Sequence, residues 1–151
     1  MNNMNFSDEM INMVLRQMGA ASIKTTPGHI NIAKFPITPE MIITYMYDIE
    51  DAEGIYLQRI EPYPKRIGKL YSEQDLINII SGDLRKFKAA AKSSNYDKFI
   101  KVAGNVLSFD REIENLFLMH NVAGADLEKL DEKIDEIHML IKEVAERSEL
   151  M

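Results

Sequence analysis

The apolar positions change period twice along the chain, and those changes predict its architecture. Met10, Ile11, Val14, Leu15 and Met18 recur at helical spacing behind Ser7, a residue suited to N-capping, with Asp8 and Glu9 in the first turn and Gly19 as a stop. After "TTPG" the period falls to two. "HINIAKF", "MIITYMYDI" and "IYLQRIE" predict antiparallel strands over 29–35, 41–49 and 55–61. Met41, Ile43, Tyr45, Tyr47 and Ile49 share one face of the second strand, Pro36 and Pro39 separate it from the first, and "EDAEG" forms the loop to the third.

From Ser72 the pattern is helical again. Ser72 and Asp75 have capping-box spacing, and Ile77, Ile80, Leu84, Phe87 and Ala91 form the stripe of a second helix, interrupted at "KSSN". Two longer stripes follow. Phe99, Val102, Val106, Phe109, Ile113, Leu116 and His120 make the third helix, and Leu127, Leu130, Ile134, Ile137, Ile141 and Val144 the fourth, both at alternating spacings of three and four. Gly124 is the turn residue between them and Asp126 the next N-cap. So short a connection predicts an antiparallel αα-hairpin. The expected fold is α+β: a short N-terminal helix, a three-stranded antiparallel sheet, and three C-terminal helices ending in a long hairpin. It is one domain over 1–151, with a helix-plus-sheet part over 1–61 and a helical part over 72–148.

A hairpin of about 35–40 Å, at roughly 1.5 Å per residue, overhangs strands of five to eight residues. Its seam needs another partner, most economically a second copy, unless the first two helices cover it. A homo-oligomer, dimer or higher, is expected through Val106, Ile113, Ile134, Ile137, Ile141 and Val144, with Leu140 widening the face.

Composition sharpens this picture. At 151 residues, 46% hydrophobic and 28% charged, the chain is globular in composition, with no apolar run long enough to span a membrane. The start lacks a basic segment followed by an apolar one, so no secretory signal is expected. The absence of cysteine removes disulfides, thiolate zinc sites and cysteine nucleophiles, and a cytoplasmic location is expected. The net charge of −6 is unevenly spread: −4 over 1–55, +5 over 56–105 and −7 over 106–151. A basic centre between acidic ends either binds an anion or pairs with the chain's own acidic helix.

Catalytic patterns are few. His29, His120 and His138 form no H-x3-H pair, and only Asp135 with His138 has carboxylate–histidine ligand spacing, so no metal or other cofactor is expected. The carboxylates of the last helix interleave with Lys129, Lys133 and Lys142, an ion-paired solvated face. A metal-dependent nucleotide hydrolase would need Glu112 or Glu114 opposite them and ranks last. "GKLYS" lacks the first glycine of a phosphate loop and the Ser/Thr after Lys69.

The basic segment "YLQRIEPYPKRIGKLYSEQDL" therefore carries the leading expectation. If Ile55 and Leu57 face the core, period two sends Arg59 inward, where it needs a carboxylate, a helix C-terminus or an anionic ligand; if Tyr56 and Ile60 face inward instead, Arg59 is ordinary surface. Two prolines stiffen the chain around Tyr63, Lys65 and Arg66. Lys69 and Tyr71 precede a helix N-terminus, and Arg85, Lys88 and Lys92 form a basic stripe on the second helix. Tyrosine rings beside fixed cations suit a nucleotide-like or phosphate-bearing ligand. The expectation is a non-enzymatic, homo-oligomeric binding protein for a small anion, a sensor or sequestering protein. The alternative is an adaptor, inhibitor or chaperone acting through the Met-rich first helix and the hairpin. Long nucleic acid is disfavoured by the net charge, and a membrane by the lack of an apolar span.

Overall fold

The computed structural model describes residues 13–21, 23, 29–50 and 54–150, and shows an α+β chain built on one antiparallel sheet. Strands β1 (His29–Pro36), β2 (Ile42–Glu50), β3 (Gly54–Glu61) and β4 (Lys65–Leu70) lie side by side in sequence order. Helices α1 (Glu73–Ala90), α2 (Tyr96–Met119) and α3 (Gly124–Glu146) follow. Residues 13–17 are helical, and their helix closes at Gly19 (φ +101°), where Gly19 N–H donates to Arg16 and Ala20 N–H to Leu15. The expected cap at Ser7 and the first turn lie outside the described residues.

The sheet has a fourth strand where three were expected. Lys65–Leu70 pairs with β3, yet its charges lie where an apolar alternation should be, and Gly68 (φ +117°) sits at a register shift that breaks period two. Charge on an outer strand is an ordinary protection against edge-to-edge pairing, and it hides the strand from a hydrophobicity pattern. Gly54, with φ +104°, is also required, since a Cβ there would lie 2.5 Å from the carbonyl oxygen of Leu70.

One sheet face meets α1. Met41, Ile43, Tyr45 and Leu57 pack against Ile80 and Phe87 to form the core. The strand face read from sequence holds through Tyr47, which is half-buried, and fades at Ile49, which is exposed. The Ser72 hydroxyl accepts from the Asp75 N–H at 3.1 Å, as the capping pattern requires. The helix is rotated slightly from the expected stripe: Leu76 and Ile79 pack on the core while Ile77 is exposed.

The two long helices differ most from expectation. Their 24 and 23 residues correspond to about 36 and 35 Å. None of those residues is buried, and neither helix makes extensive backbone contact with the other, with α1 or with the sheet. The seams therefore do not close into a packed antiparallel hairpin. Only Ile113, Leu127, Leu130 and Ile134, toward the connection, are half-buried, together with Tyr96, Ile100 and Ala103 near the base of α2. Among the described residues, α1 does not cover the rest. α3 starts at Gly124, so Asp126 stands in its first turn rather than at the cap. None of the helices among the described residues is long and apolar enough to cross a membrane.

Candidate functional site

The alternation of β3 buries Ile55, Leu57 and Arg59 together, and the guanidinium enters the core beneath α1. Its Nη1 donates to Asp83 Oδ2 at 2.8 Å, its Nε donates to the Tyr63 carbonyl oxygen at 3.4 Å, and its carbon lies against two neighbouring rings, 4.4 Å from the Tyr63 centroid and 4.7 Å from that of Phe87. The Tyr45 hydroxyl donates to the same Asp83 oxygen at 2.7 Å. Arg59 is only 2% exposed, and its Nη2 has no protein partner. Asp83 fits this position because it falls on the inward stripe of α1, four residues from Ile79 and four from Phe87.

Burial, first, and then the bond to Asp83 and its negative charge push the Tyr45 phenol well above its ordinary 10.0, against a smaller opposing pull from Arg59. A raised folded-state value means stability that is complete below pH 10 and lost as pH climbs toward the folded value. Alkaline titration of unfolding free energy should show that loss in the wild type and less of it in Tyr45→Phe; equal slopes for both chains would refute the assignment. Burial likewise raises Tyr96, whose hydroxyl is buried without a partner beside Tyr63.

The other expected site residues fall into separate groups. Arg85, Lys88 and Lys92 stand together on one wall of a groove of about 790 Å³, between α1 and the β1–β2 half of the sheet. Ala33, Phe35 and Tyr47 supply its strand side, and Leu76, Ile80 and Leu84 its helix side. Lys65 and Arg66 line a smaller, more polar groove of about 480 Å³ on β4, with Lys86, Asn78 and Asp83. Lys69 lies over the Tyr56 ring at 5.8 Å on the sheet face away from α1, and Tyr71 is 83% exposed. Tyr63 packs against Phe87 and Phe99, joining the sheet to the base of α2. Sequence reading missed Phe35, Tyr47 and the gap between α1 and β1. The signal was the fourth strand itself, since a wider sheet needs more than one helix to cover it.

A four-stranded sheet spans about 14 Å between its outer strands, at roughly 4.8 Å per spacing, whereas one helix is about 10 Å across. The uncovered strip is the larger groove. Apolar side chains on a concave floor, with three cations on one wall, can hold an apolar or aromatic body and neutralise an attached anion. Among the described residues, no three His, Asp or Glu side chains are grouped to hold a metal ion. Comparison with protein families, with curated proteins and with solved structures returned no match.

Proposed function

We propose that this chain is a non-enzymatic binding protein for a small anion with an apolar or aromatic body, nucleotide-like or phosphate-bearing, acting as a sensor or sequestering protein in a homo-oligomer. The observation carrying the ligand reading is that Arg85, Lys88 and Lys92 line the same groove as Phe35 and Tyr47. A ring set against Phe35 or Tyr47 leaves an attached phosphate within the field of the α1 cations. Arg59 is not part of this surface, because Asp83 already occupies it. Lys65 and Arg66 belong to the smaller groove, across α1 from the proposed one.

Thermal melts against nucleoside mono-, di- and triphosphates, cyclic nucleotides and inorganic phosphate test the proposal. A bound nucleotide raises the melting temperature by mass action. One charge-assisted hydrogen bond contributes about 1.5–3 kcal/mol, so Lys88→Glu should weaken that ligand at least tenfold. A panel without any shift, or a shift unchanged in Lys88→Glu, would remove the ligand reading.

The second reading is a protein-interaction module, favoured by a different observation. Val106, Ile137 and Ile141 are 52–60% exposed on the long helices, and Met13 and Met18 are exposed on the N-terminal helical stretch. Contiguous apolar faces of this kind mark association surfaces. The homo-oligomer rests on the same faces.

A further inference from the structure

We propose that the groove beside α1 is the seat, in a second copy of this chain, of the distal half of α3, so that the partner's acidic helix and a small anion compete for one site. The proposal rests on the premise stated above, that this groove takes a negative group over an apolar floor.

The two surfaces match in three respects. The first is shape: the strip of sheet left bare by α1 is a trough bounded by that helix, the usual seat for an amphipathic helix laid in a groove. The second is apolarity. Ile137, Leu140, Ile141 and Val144 are 39–60% exposed along the distal half of α3, and their spacing places them on one side of it. In their own chain neither the sheet nor α1 makes extensive contact with that helix.

The third is charge. α3 carries eight carboxylates against three lysines, a net −5, while residues 65–92 carry seven Lys/Arg against three Asp/Glu, a net +4. The ion pairs of α3 among the described residues, Lys129–Asp126 and Lys133–Glu136, stay within the helix, and none joins it to Arg85, Lys88 or Lys92. Glu136 and Glu143, one heptad apart on a flank of that apolar side, are therefore suited to the basic wall. Packing α3 against α3 of another copy would instead gather like charges. Reciprocal exchange gives each copy one filled groove and one seated helix, a closed two-fold arrangement.

The natural absence of cysteine makes the test direct. Chains carrying Ser81→Cys, on the groove wall, and chains carrying Leu140→Cys are given different tags, mixed and oxidised. The expected product is a disulfide between the two kinds of chain, in excess of either homodimer, and its yield falls when a groove-binding nucleotide is added. A Leu140–Leu140 product in its place assigns the helices to a bundle of like arms and overturns the proposal. So does closure within a single diluted chain carrying both substitutions, or closure of Ser81→Cys with Leu15→Cys, which would seat the N-terminal helix. Charge exchange gives a second readout by sedimentation. Glu136→Lys with Glu143→Lys should weaken self-association at least tenfold, and mixing with Lys88→Glu, Lys92→Glu chains should restore it; failure to restore overturns the seating. A nucleotide-induced melting shift without the mixed disulfide sinks this proposal alone. The mixed disulfide without any such shift sinks the small-ligand reading, and the competition with it, and leaves the seating of the helix.

Discussion

Arg59→Ala should lower the unfolding free energy by about 3–5 kcal/mol, the cost of removing one partner from a buried ion pair. The guanidinium is 2% exposed and bonded to Asp83 at 2.8 Å, so its loss takes the charge partner from a half-buried carboxylate that keeps the hydrogen bond from the Tyr45 hydroxyl. The contacts with Tyr63 and Phe87 go as well, and the space the guanidinium fills beside those rings becomes a cavity. Because the penalty comes from the stranded charge, replacing both partners should cost much less than replacing one. Arg59→Met combined with Asp83→Leu should recover most of the stability, since apolar groups of similar volume commonly match a buried pair. Urea unfolding of the wild type, the single variant and the double variant decides the matter. A loss below about 1 kcal/mol for Arg59→Ala would show that the pair is not structural, and a double variant as weak as the single would show that packing dominates.

The second large effect concerns assembly. Ile141→Glu should leave the folded chain nearly as stable as before, because that side chain is 60% exposed on α3. If the helix is seated against a partner, the same change buries an unpaired carboxylate and should weaken association by a hundredfold or more, equivalent to about 3 kcal/mol. Ile134→Glu differs, since Ile134 is half-buried near the connection between the long helices and should cost stability in the isolated chain too. Sedimentation and thermal melts of both variants separate the two costs. A wild type that sediments as a monomer at micromolar concentration removes the oligomer altogether, and an Ile141→Glu chain that associates normally removes α3 from the interface.

The strands with clean alternation were legible because burial on one face imposes period two. Met41, Ile43, Tyr45 and Leu57 are core residues for that reason. The Lys65–Leu70 strand was not legible, because an outer strand with a glycine irregularity can keep its charges and lose the pattern. The inward course of Arg59 followed from Ile55 and Leu57, but its partner required the rotation of α1. A stripe through Ile77 and Leu84 places Asp83 to one side, whereas one through Leu76, Ile79 and Phe87 places it beneath the guanidinium. The Arg85–Lys88–Lys92 stripe was visible as spacing, yet the groove it borders is a property of sheet width, which local sequence does not encode. The heptad spacing of the long helices is equally plain and predicts an antiparallel hairpin whose overhanging seam needs a further partner. Periodicity shows which face is apolar and is silent about what meets it.

The aromatic joint at the foot of α2 has a mechanical consequence. Tyr63, in the turn after β3, meets the Phe99 ring edge-on at 5.7 Å and also touches Phe87 on α1, while Arg59 lies over its face. From Phe99, α2 runs about 30 Å further with no buried residue along it. Its foot is held at the margin of the core by that joint, which makes it a lever arm. A tilt of about 10° at Tyr63 would carry the far end of α2, and the start of α3 with it, through about 5 Å, roughly one helical turn. A change of ring packing too small to alter the sheet is thus displayed at the tip as a displacement long enough to shift one helix against another.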